Sequence, residues 1–288
     1  MKPYKRYSKN GQTIFHGNAL DVLLALPDKS VDLIFVDPPY NIGKKFVNFI
    51  DKWPSEKEYI EWCKSWLDIC VEKLSPTGTM YVMASTQSMP YIDLYLRDRL
   101  TILSRIIWYY DSSGVQAKKR FGSLYEPILH CVRNPDAYTF NAESIMVEAK
   151  TGSQRKLIDY RKKNPTVYNS KKVPGNVWYF PRVRYRMSEY ENHPSQKPET
   201  LLERIILASS NPGDLVLDPF AGTFTTCAVA QKLNRRCIGI EMQEEYIKIG
   251  LRRLGIADIY KGEKLLPLKK NTKRKNSKTI LLQSRFDI

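Results

Sequence analysis

Four consecutive residues, Asp37-Pro38-Pro39-Tyr40, combine a carboxylate, a proline-fixed carbonyl and an aromatic ring. They follow the apolar run 31–36, which predicts a buried strand. Ligands of open α/β sheets bind beyond the carboxyl ends of such strands. The Asp37 carboxylate and the Pro38 carbonyl could each accept one N–H of an exocyclic amine, while Tyr40 stacks on a planar base and Pro39 stiffens the turn. Taken alone, the tetrad is equally compatible with a plain turn that leaves a strand.

A second strand-to-loop pattern lies in the other half of the chain. The apolar residues 215–218 lead into a loop with Gly222, then a predicted helix over 225–233 and a strand over 236–242 that contains Glu241. Glycine permits close backbone approach, and an acid about 20 residues after such a loop can bind ribose hydroxyls. This layout predicts an adenosine site. Two such motifs in one chain favour a protein that brings a nucleoside and an amine together.

The elements that must position these motifs alternate between strand and helix. Further strands are predicted at 13–15, 79–84, 101–110 and 127–132, and further helices at 19–26, 55–74, 198–210 and 244–254. Ser55 and Glu58 form a capping-box pattern at the start of one helix. Pro198 opens another helix at a position that proline tolerates. The pattern predicts an α/β protein.

Positive charge is concentrated in two parts of the chain. The chain has 46 Lys/Arg and 30 Asp/Glu, a net charge of +16. Residues 112–190 hold 15 Lys/Arg against 6 Asp/Glu, and residues 257–288 hold 9 against 3. Such patches suit a polyanion such as nucleic acid, although a generic basic surface is the alternative. The residues predicted to contact DNA are Lys118, Lys119, Arg120, Arg155, Arg161, Arg182, Arg184 and Arg186.

Several classes of protein are disfavoured by composition. No apolar run is long enough to cross a membrane, and no signal peptide is recognisable. The five cysteines are odd in number and lack metal-type spacing, which predicts reduced thiols and no metal site. A cytoplasmic protein is expected.

Longer strings identify a resemblance. They include VDPPYNIGK, YDSSGVQAKK, YEPIL, VPGNVW, QKPE, DPFAG and EYIKIGLRRL. From about residue 13 to residue 254 the chain resembles the β-class amino-methyltransferases of DNA. The resemblance implies a Rossmann-like α/β sheet of seven mostly parallel strands, one of them antiparallel, in a circularly permuted order with the catalytic half first. The implied parts are a catalytic half (1–111), an inserted target-recognition region (112–190), a cofactor-binding half (191–256) and a basic, flexible tail (257–288).

The resemblance also implies S-adenosyl-L-methionine as the cofactor. The cofactor-binding residues that it implies are Asn18, His193, Lys197, Asp218, Phe220, Ala221, Gly222, Thr223 and Glu241. Lys197 would bind the cofactor carboxylate and Glu241 the ribose, while His193 is alternatively a turn residue before proline. Two positions depart from the family pattern. Phe224 replaces a glycine and must point away from the cofactor, and Asn18 replaces an aspartate, which keeps an acceptor but loses the charge.

The implied activity is methyl transfer to N6 of an adenine flipped out of duplex DNA, within the palindrome ATGCAT. An N4-cytosine DNA methyltransferase uses the same scaffold and stays an alternative, and in this family Asp at position 37 favours adenine. An RNA adenine methyltransferase and a DNA-binding protein without catalysis are further alternatives. The expected partner is double-stranded DNA, and a homodimer is one candidate assembly. The sequence does not determine whether a restriction endonuclease accompanies the protein.

Overall fold

The computed structural model describes residues 4–111, 118–119, 121–150 and 155–256. The tail predicted at 257–288 and the predicted DNA contact Arg120 lie outside these residues. Within them, no helix has the length and apolar character needed to cross a bilayer. The same residues contain no group of three His, Cys, Asp or Glu side chains placed to hold a metal ion.

Strands and helices alternate along most of the described chain. The elements are β1 (Lys5–Lys9), β2 (Gln12–His16), α1 (Ala19–Ala25), β3 (Val31–Val36), α2 (Glu56–Lys73), β4 (Leu74–Met83), α3 (Met89–Arg97), β5 (Thr101–Tyr109), β6 (Tyr125–Val132), a 3-10 helix (Ala142–Ile145), β7 (Val147–Glu148), β8 (Ile158–Asp159), β9 (Thr166–Val167), β10 (Lys171–Lys172), β11 (Val177–Tyr179), α4 (Glu199–Ser209), β12 (Leu215–Asp218), α5 (Thr225–Lys232), β13 (Arg236–Glu241) and α6 (Glu244–Arg253). The helix predicted to include Pro198 begins one residue later, because Pro198 is its N-cap.

The main sheet has nine strands in the order β1-β2-β13-β12-β3-β4-β6-β5-β11. From β2 to β4 the neighbours are parallel, and β6 is antiparallel to both β4 and β5. These seven strands match the expected mostly parallel sheet with one reversed strand. The predicted number of seven is nevertheless too low, because β1 and β11 add an antiparallel and a parallel edge strand. The turn before β2 uses Asn10 and Gly11 at φ 52° and 79°, which is the chemistry of a tight hairpin turn.

The range predicted as an insertion contains part of this sheet. β6 lies between β4 and β5, and β11 pairs with β5 at the edge. The segments outside the sheet are therefore shorter than the predicted range of 112–190. Their only strands among the described residues are the two-residue pairs β7–β10 and β8–β9. The apolar pattern predicted β6 as a strand at 127–132, but the composition of the range did not separate β11 from the loops around it.

Helices cover both faces of the sheet. Ile34 and Val36 of β3 pack in one buried cluster with α1, α2 and α3. Leu33 and Phe35 of the same strand pack in a second cluster with α4, α5 and α6. A strand buried on both faces reads as a nearly continuous apolar run, which explains why the sequence 31–36 is apolar except for the partly buried Asp32.

Two cysteines behind the Gly222 loop are paired. Cys227 of α5 and Cys237 of β13 form a disulfide with Cα atoms 5.3 Å apart. The prediction of reduced thiols throughout is therefore wrong for this pair, because the packing of α5 on β13 brings the two residues within bonding reach. The other three cysteines are free and buried.

Phe224 occupies a left-handed conformation and points away from the Gly222 loop, as the sequence requires. Its φ is 59°, a region that glycine adopts far more readily than phenylalanine. The ring is fully buried and fills the space next to Gly239 and Gly250. A Cβ atom built on Gly239 or Gly250 would lie 2.6 Å or 2.3 Å from the ring. The bulky residue is accommodated because two glycines on β13 and α6 leave room for it.

We expect Gly250→Ala to destabilise the protein, although alanine normally stabilises a helix relative to glycine. The added methyl group would overlap the Phe224 ring, and such overpacking typically costs about 1–3 kcal/mol. Thermal unfolding measures the effect. Gly175→Ala is the matched control, since a Cβ at Gly175 meets nothing within 4 Å. A Gly250→Ala variant as stable as the parent would contradict the placement of the ring.

Candidate active site

One cavity of about 880 Å³ opens at the carboxyl ends of the central strands. The strands β2, β13, β12 and β3 are parallel neighbours, so the residues that follow them meet at one edge of the sheet. Each predicted catalytic residue and each predicted cofactor residue lines this cavity: Asn18, Asp37, Pro38, Pro39, Tyr40, His193, Lys197, Asp218, Phe220, Ala221, Gly222, Thr223 and Glu241. Its volume lies in the range of sites for ligands the size of a drug or cofactor.

The Asp37 carboxylate is held by two donors. The Tyr40 hydroxyl donates to Asp37 Oδ1 at 2.6 Å, and Lys197 Nζ lies 2.7 Å from Asp37 Oδ2. Burial raises the pKa of Asp37, and the adjacent ammonium acts in the opposite direction. The turn is fixed from outside, because the Tyr59 hydroxyl donates to the Pro39 carbonyl at 2.9 Å and the Tyr40 N–H donates to Asp51.

Lys197 lines the cavity and lies beside two carboxylates of the protein. The sequence analysis assigns it to a cofactor carboxylate, whereas the structure places its ammonium between Asp37 and Glu126, with Nζ 3.4 Å from Glu126 Oε2. Only 8% of its side chain is exposed. Burial opposes the charge, but the two carboxylates outweigh it and raise the pKa of Lys197. A buried ammonium is stable only beside opposite charge, and the protein itself provides that charge. Binding of a cofactor carboxylate by Lys197 stays a prediction.

Glu126 is the functional candidate that the sequence analysis missed. Glu126 lies near the amino end of β6. Its carboxylate oxygens are within hydrogen-bond distance of the hydroxyls of Tyr40 and Tyr110, at 3.1 and 3.4 Å. The string YEPIL contains it, and the one available signal was an acid at the start of a strand within a basic region. That signal does not name a partner, because β6 reaches the site only through its pairing with β4 and β5.

Two buried carboxyl groups face the other part of the cavity. Asp218 accepts from the Thr226 hydroxyl at 2.6 Å and from the Phe220 N–H at 3.1 Å. Glu241 accepts from three backbone N–H groups, those of residues 222, 242 and 243, at 3.1, 2.8 and 2.7 Å. Burial is the main cause that raises the pKa of each group to about 7. The Glu241 carboxylate thereby fixes the Gly222 loop while it lines the cavity.

His193 packs against the Gly222 loop. A Cβ atom at Gly222 would lie 3.1 Å from the His193 ring, so a larger residue than glycine would press on the imidazole. The ring makes an edge contact with Tyr246 at 4.5 Å between centroids. Burial, followed by the charges of Lys197 and Lys44, lowers the pKa of His193 to about 3. The imidazole is therefore neutral and acts as a wall of the cavity.

Asn18 begins α1 as its N-cap. Its Oδ1 accepts the backbone N–H of Leu20 at 2.9 Å, while the residue also lines the cavity. An aromatic wall stands nearby: Phe220 lies 5.7 Å from Trp62, and Trp62 lies 4.8 Å from Trp53, between ring centroids. A wall of this kind provides apolar faces for a planar ring.

The predicted DNA contacts have different surroundings in the described structure. Arg182 lines the cavity, with its guanidinium 5.2 Å from the Tyr110 ring centroid. Arg161 forms a two-atom ion pair with Asp159 at 2.8 and 3.0 Å. The remaining described members of the set are exposed: Lys118, Lys119, Arg155, Arg184 and Arg186.

A doubly covered, mostly parallel sheet with one cavity at the carboxyl ends of its central strands, lined by carboxyl groups from adjacent strands, defines a methyltransferase-like α/β protein. Residues 31–252 match the DNA methylase family N6_N4_Mtase. The chain belongs to this family of DNA methylases.

Three known proteins are similar to this chain in sequence or in fold. The chain is 60% identical to the DNA adenine methyltransferase YhdJ of Escherichia coli (strain K12) over 265 residues, which cover 92% of this chain and 90% of that protein. The solved structure of the PvuII DNA methyltransferase (cytosine-N4-specific) has a TM-score of 0.66 at 18% identity, covering 90% of this chain and 95% of that one. The M1.HpyAVI–SAM complex has a TM-score of 0.55 at 25% identity, covering 83% and 98%.

Proposed function

We propose that this chain transfers a methyl group from S-adenosyl-L-methionine to N6 of an adenine flipped out of duplex DNA. The observation that carries the proposal is the meeting of the Asp37 turn and the Asp218 loop in one cavity, at the ends of two strands that pair directly. The 60% identity to an adenine methyltransferase supports adenine as the target. The palindrome ATGCAT is the recognition sequence that we propose to test first.

The residues of the cavity suit the cofactor. Glu241 presents a buried carboxylate at a strand end, where ribose hydroxyls can donate to it. Phe220 and the tryptophans behind it provide an apolar wall for an adenine ring, and Asp218 adds a second carboxyl group. The cofactor supplies an electrophilic methyl group on a positively charged sulfur. Negative carboxylates around the cavity are favourable for such a charge.

The chemistry assigned to Asp37 follows from the electronic structure of the amine. The lone pair of adenine N6 is delocalised into the ring, which makes the nitrogen a poor nucleophile. Hydrogen bonds from its two N–H groups to Asp37 and to the Pro38 carbonyl would pull the nitrogen toward a pyramidal geometry and localise the lone pair. The methyl group would then pass from sulfur to nitrogen, the C–S electron pair would stay on the sulfur, and the amine proton would pass to the Asp37 carboxylate and then to water. No covalent bond to the protein is needed, so positioning and electrostatics provide the rate enhancement.

The target base must leave the helix before it can enter the cavity. Flipping costs a few kcal/mol, and stacking of a base on an aromatic ring returns about 1–3 kcal/mol. Tyr40 lines the cavity beside Asp37 and is the ring that we assign to this role.

A direct assay of the product tests the proposal. The purified chain is incubated with S-adenosyl-L-methionine and a duplex that contains ATGCAT, and the DNA is digested and analysed by mass spectrometry for N6-methyladenine and N4-methylcytosine. The control duplex carries ATCGAT in the same flanks. N6-methyladenine in the first duplex alone supports both target and sequence. N4-methylcytosine would replace the adenine assignment by the cytosine alternative, and methylation of RNA in place of DNA would overturn the proposal.

Recognition and non-specific affinity should be separable. We assign sequence reading to arginines in the loops within 112–190, and bulk affinity to the tail 257–288. Each phosphate neutralised contributes about −0.9 to the slope of log K against log salt. Deleting the tail should flatten this slope and leave the methylated sequence unchanged. Arg184→Ala should instead relax the choice of sequence and weaken binding to the recognition sequence by about 1–3 kcal/mol. Methylation of a random-sequence DNA pool, read by sequencing, checks both variants. A changed sequence after tail deletion would contradict this division.

Two further parts of the proposal concern the assembly of the protein and its location in the cell. The homodimer is tested by light scattering of the purified chain in the presence and absence of DNA. A basic protein that methylates DNA would be found with the bacterial nucleoid, and fluorescence microscopy of a tagged chain tests that expectation.

A further inference from the structure

Two carboxylates, one ammonium and one hydroxyl lie together at the proposed transfer centre. The Tyr40 hydroxyl is 2.6 Å from Asp37 Oδ1 and 3.1 Å from Glu126 Oε2. Lys197 Nζ is 2.7 Å from Asp37 Oδ2 and 3.4 Å from the same Glu126 oxygen. Both donors therefore stand between the same two acceptors. The side chains of Asp37 and Glu126 are 15% and 17% exposed, so water competes little for them.

This arrangement poses a problem for the assigned role of Asp37. Each of its oxygens already accepts a hydrogen bond from the protein, and an incoming amine needs an oxygen that is strongly basic. The tyrosine hydroxyl has a single hydrogen and can donate to one carboxylate at a time. Rotation about the C–O bond of Tyr40 is enough to direct that hydrogen to Glu126, because the Tyr40 oxygen is already within hydrogen-bond distance of both acceptors.

We infer that Glu126 is a positioning residue for methyl transfer, which draws the Tyr40 hydroxyl and part of the Lys197 charge away from Asp37 so that Asp37 can accept the amine of the target base. The inference rests on the proposed function. Glu126 does not touch the reacting atoms in this scheme and acts through Tyr40 and Lys197. Its own second oxygen, Oε1, accepts from the Tyr110 hydroxyl at 3.4 Å, which holds the carboxylate in place from the side of β5.

Several other charged or titratable groups surround the cluster. The other titratable or charged groups that interact with the cluster come from the loop after β3, the ends of β5, β11 and β12, and the turn before α4: Lys44, Tyr110, Arg182, Asp218 and His193. Substituting position 126 leaves these groups in place. A difference between variants at this position therefore reports the Glu126 carboxylate.

The first test is a set of substitutions measured under single-turnover conditions. Glu126→Ala removes the alternative acceptor, and we expect the transfer rate to fall at least tenfold while the affinities for DNA and cofactor stay within threefold. Glu126→Gln keeps an acceptor oxygen and should lose less. Adding Tyr40→Phe to Glu126→Ala should recover at least threefold of the lost rate, because no hydroxyl then occupies Asp37 Oδ1. Independent structural damage would instead give losses that multiply.

The second test is the pH profile of the transfer rate. Transfer needs Asp37 as a carboxylate, so the rate falls on the acid side as Asp37 gains a proton. After burial, the negative charge of Glu126 is one of the causes that raise the pKa of Asp37. Glu126→Gln should therefore move the acid limb to lower pH. Asp93→Asn is the control, since it removes a similarly buried carboxylate that pairs with Arg97 and Arg105 and does not line the cavity.

The outcomes are distinguishable. Absence of methyl transfer by the parent chain would overturn the proposed function and, with it, the role of Glu126. If the parent is active, three results would overturn the role of Glu126 alone: no rate loss in either variant, a double variant slower than Glu126→Ala, or an unmoved acid limb in Glu126→Gln. Should Glu126→Ala fail to fold, the near-isosteric Glu126→Gln still decides through its rate and pH profile.

Discussion

Replacing Asp37 by alanine should reduce methyl transfer by about 10²–10³-fold, which is the usual loss when a preorganised electrostatic contact to the reacting group is removed. The carboxylate lies in the cavity at the end of β3, where the amine would donate to it. The measurement is single-turnover transfer to duplex DNA. A rate within threefold of the parent would remove Asp37 from the chemistry.

The variant should remain folded. Removal of Asp37 leaves Lys197 with Glu126 as a partner, so the buried ammonium keeps one opposite charge and the large penalty for an unpaired ion is avoided. Thermal unfolding and cofactor binding verify this. Asp98→Ala is the control for loss of an aspartate, because Asp98 is exposed at the end of α3 and does not line the cavity.

The second large effect is expected at Glu241. Glu241→Ala should weaken cofactor binding by about 1.5–3 kcal/mol if charged hydrogen bonds to the ribose are lost, which is roughly 10–150-fold in Kd. Glu241→Gln is the sharper variant, because the amide oxygen can still accept from the backbone N–H groups of residues 242 and 243 and only the contact of the other oxygen with residue 222 is lost. Isothermal titration measures both. Unchanged affinity in both variants would exclude Glu241 from the cofactor site.

The same carboxyl group predicts the pH dependence of cofactor binding. Burial raises the pKa of Glu241, and also of Asp218, to about 7 in the folded protein. The carboxylate form suits ribose hydroxyls and a positive sulfur, so affinity should rise about tenfold per group from about pH 6 to about pH 8. The stability of the free protein should change in the opposite direction. A carboxyl whose folded pKa is raised stabilises the protein below its unfolded pKa, and this contribution is lost as the pH rises toward 7.

Titration of Glu241→Gln against the parent separates the two groups. The parent should show the full rise in affinity, and the variant only the part that belongs to Asp218. Equal pH dependence in both proteins would contradict the assignment of a raised pKa to a group that faces the cofactor.

Most elements and the two strand-end motifs could be read from the sequence, but α3 was not predicted and β4 begins five residues before the predicted strand. Val31–Val36 forms the strand that the apolar run predicts, and Ser55 caps α2 by accepting the backbone N–H of Glu58. These features depend on neighbours within a few residues. The edge strands β1 and β11 escaped prediction because short strands gain their definition from the partner that they pair with.

Long-range placement limited the prediction of the site. The sequence identified Asp37 and Tyr40 as candidates, and the family resemblance implied Lys197 as a partner for the cofactor carboxylate. The structure gives that ammonium two protein carboxylates, one of them on a strand that the charge analysis had placed within the DNA-binding region. Composition records how many charges a segment carries and does not record which of them face inward.

The sequence alone indicated the chemistry proposed for this protein, because a carboxylate, a fixed carbonyl and a ring at the end of a strand, and a small-residue loop with its distant acid, are local patterns. Only the tertiary structure decided which charged groups surround the Asp37 turn. The pairing of β6 with β4 brings Glu126 to within 3.1 Å of the Tyr40 hydroxyl, across 86 positions of sequence. The order of strands in the sheet decides which side chains meet in such a contact. A buried charge is stable only where another element supplies a partner for it.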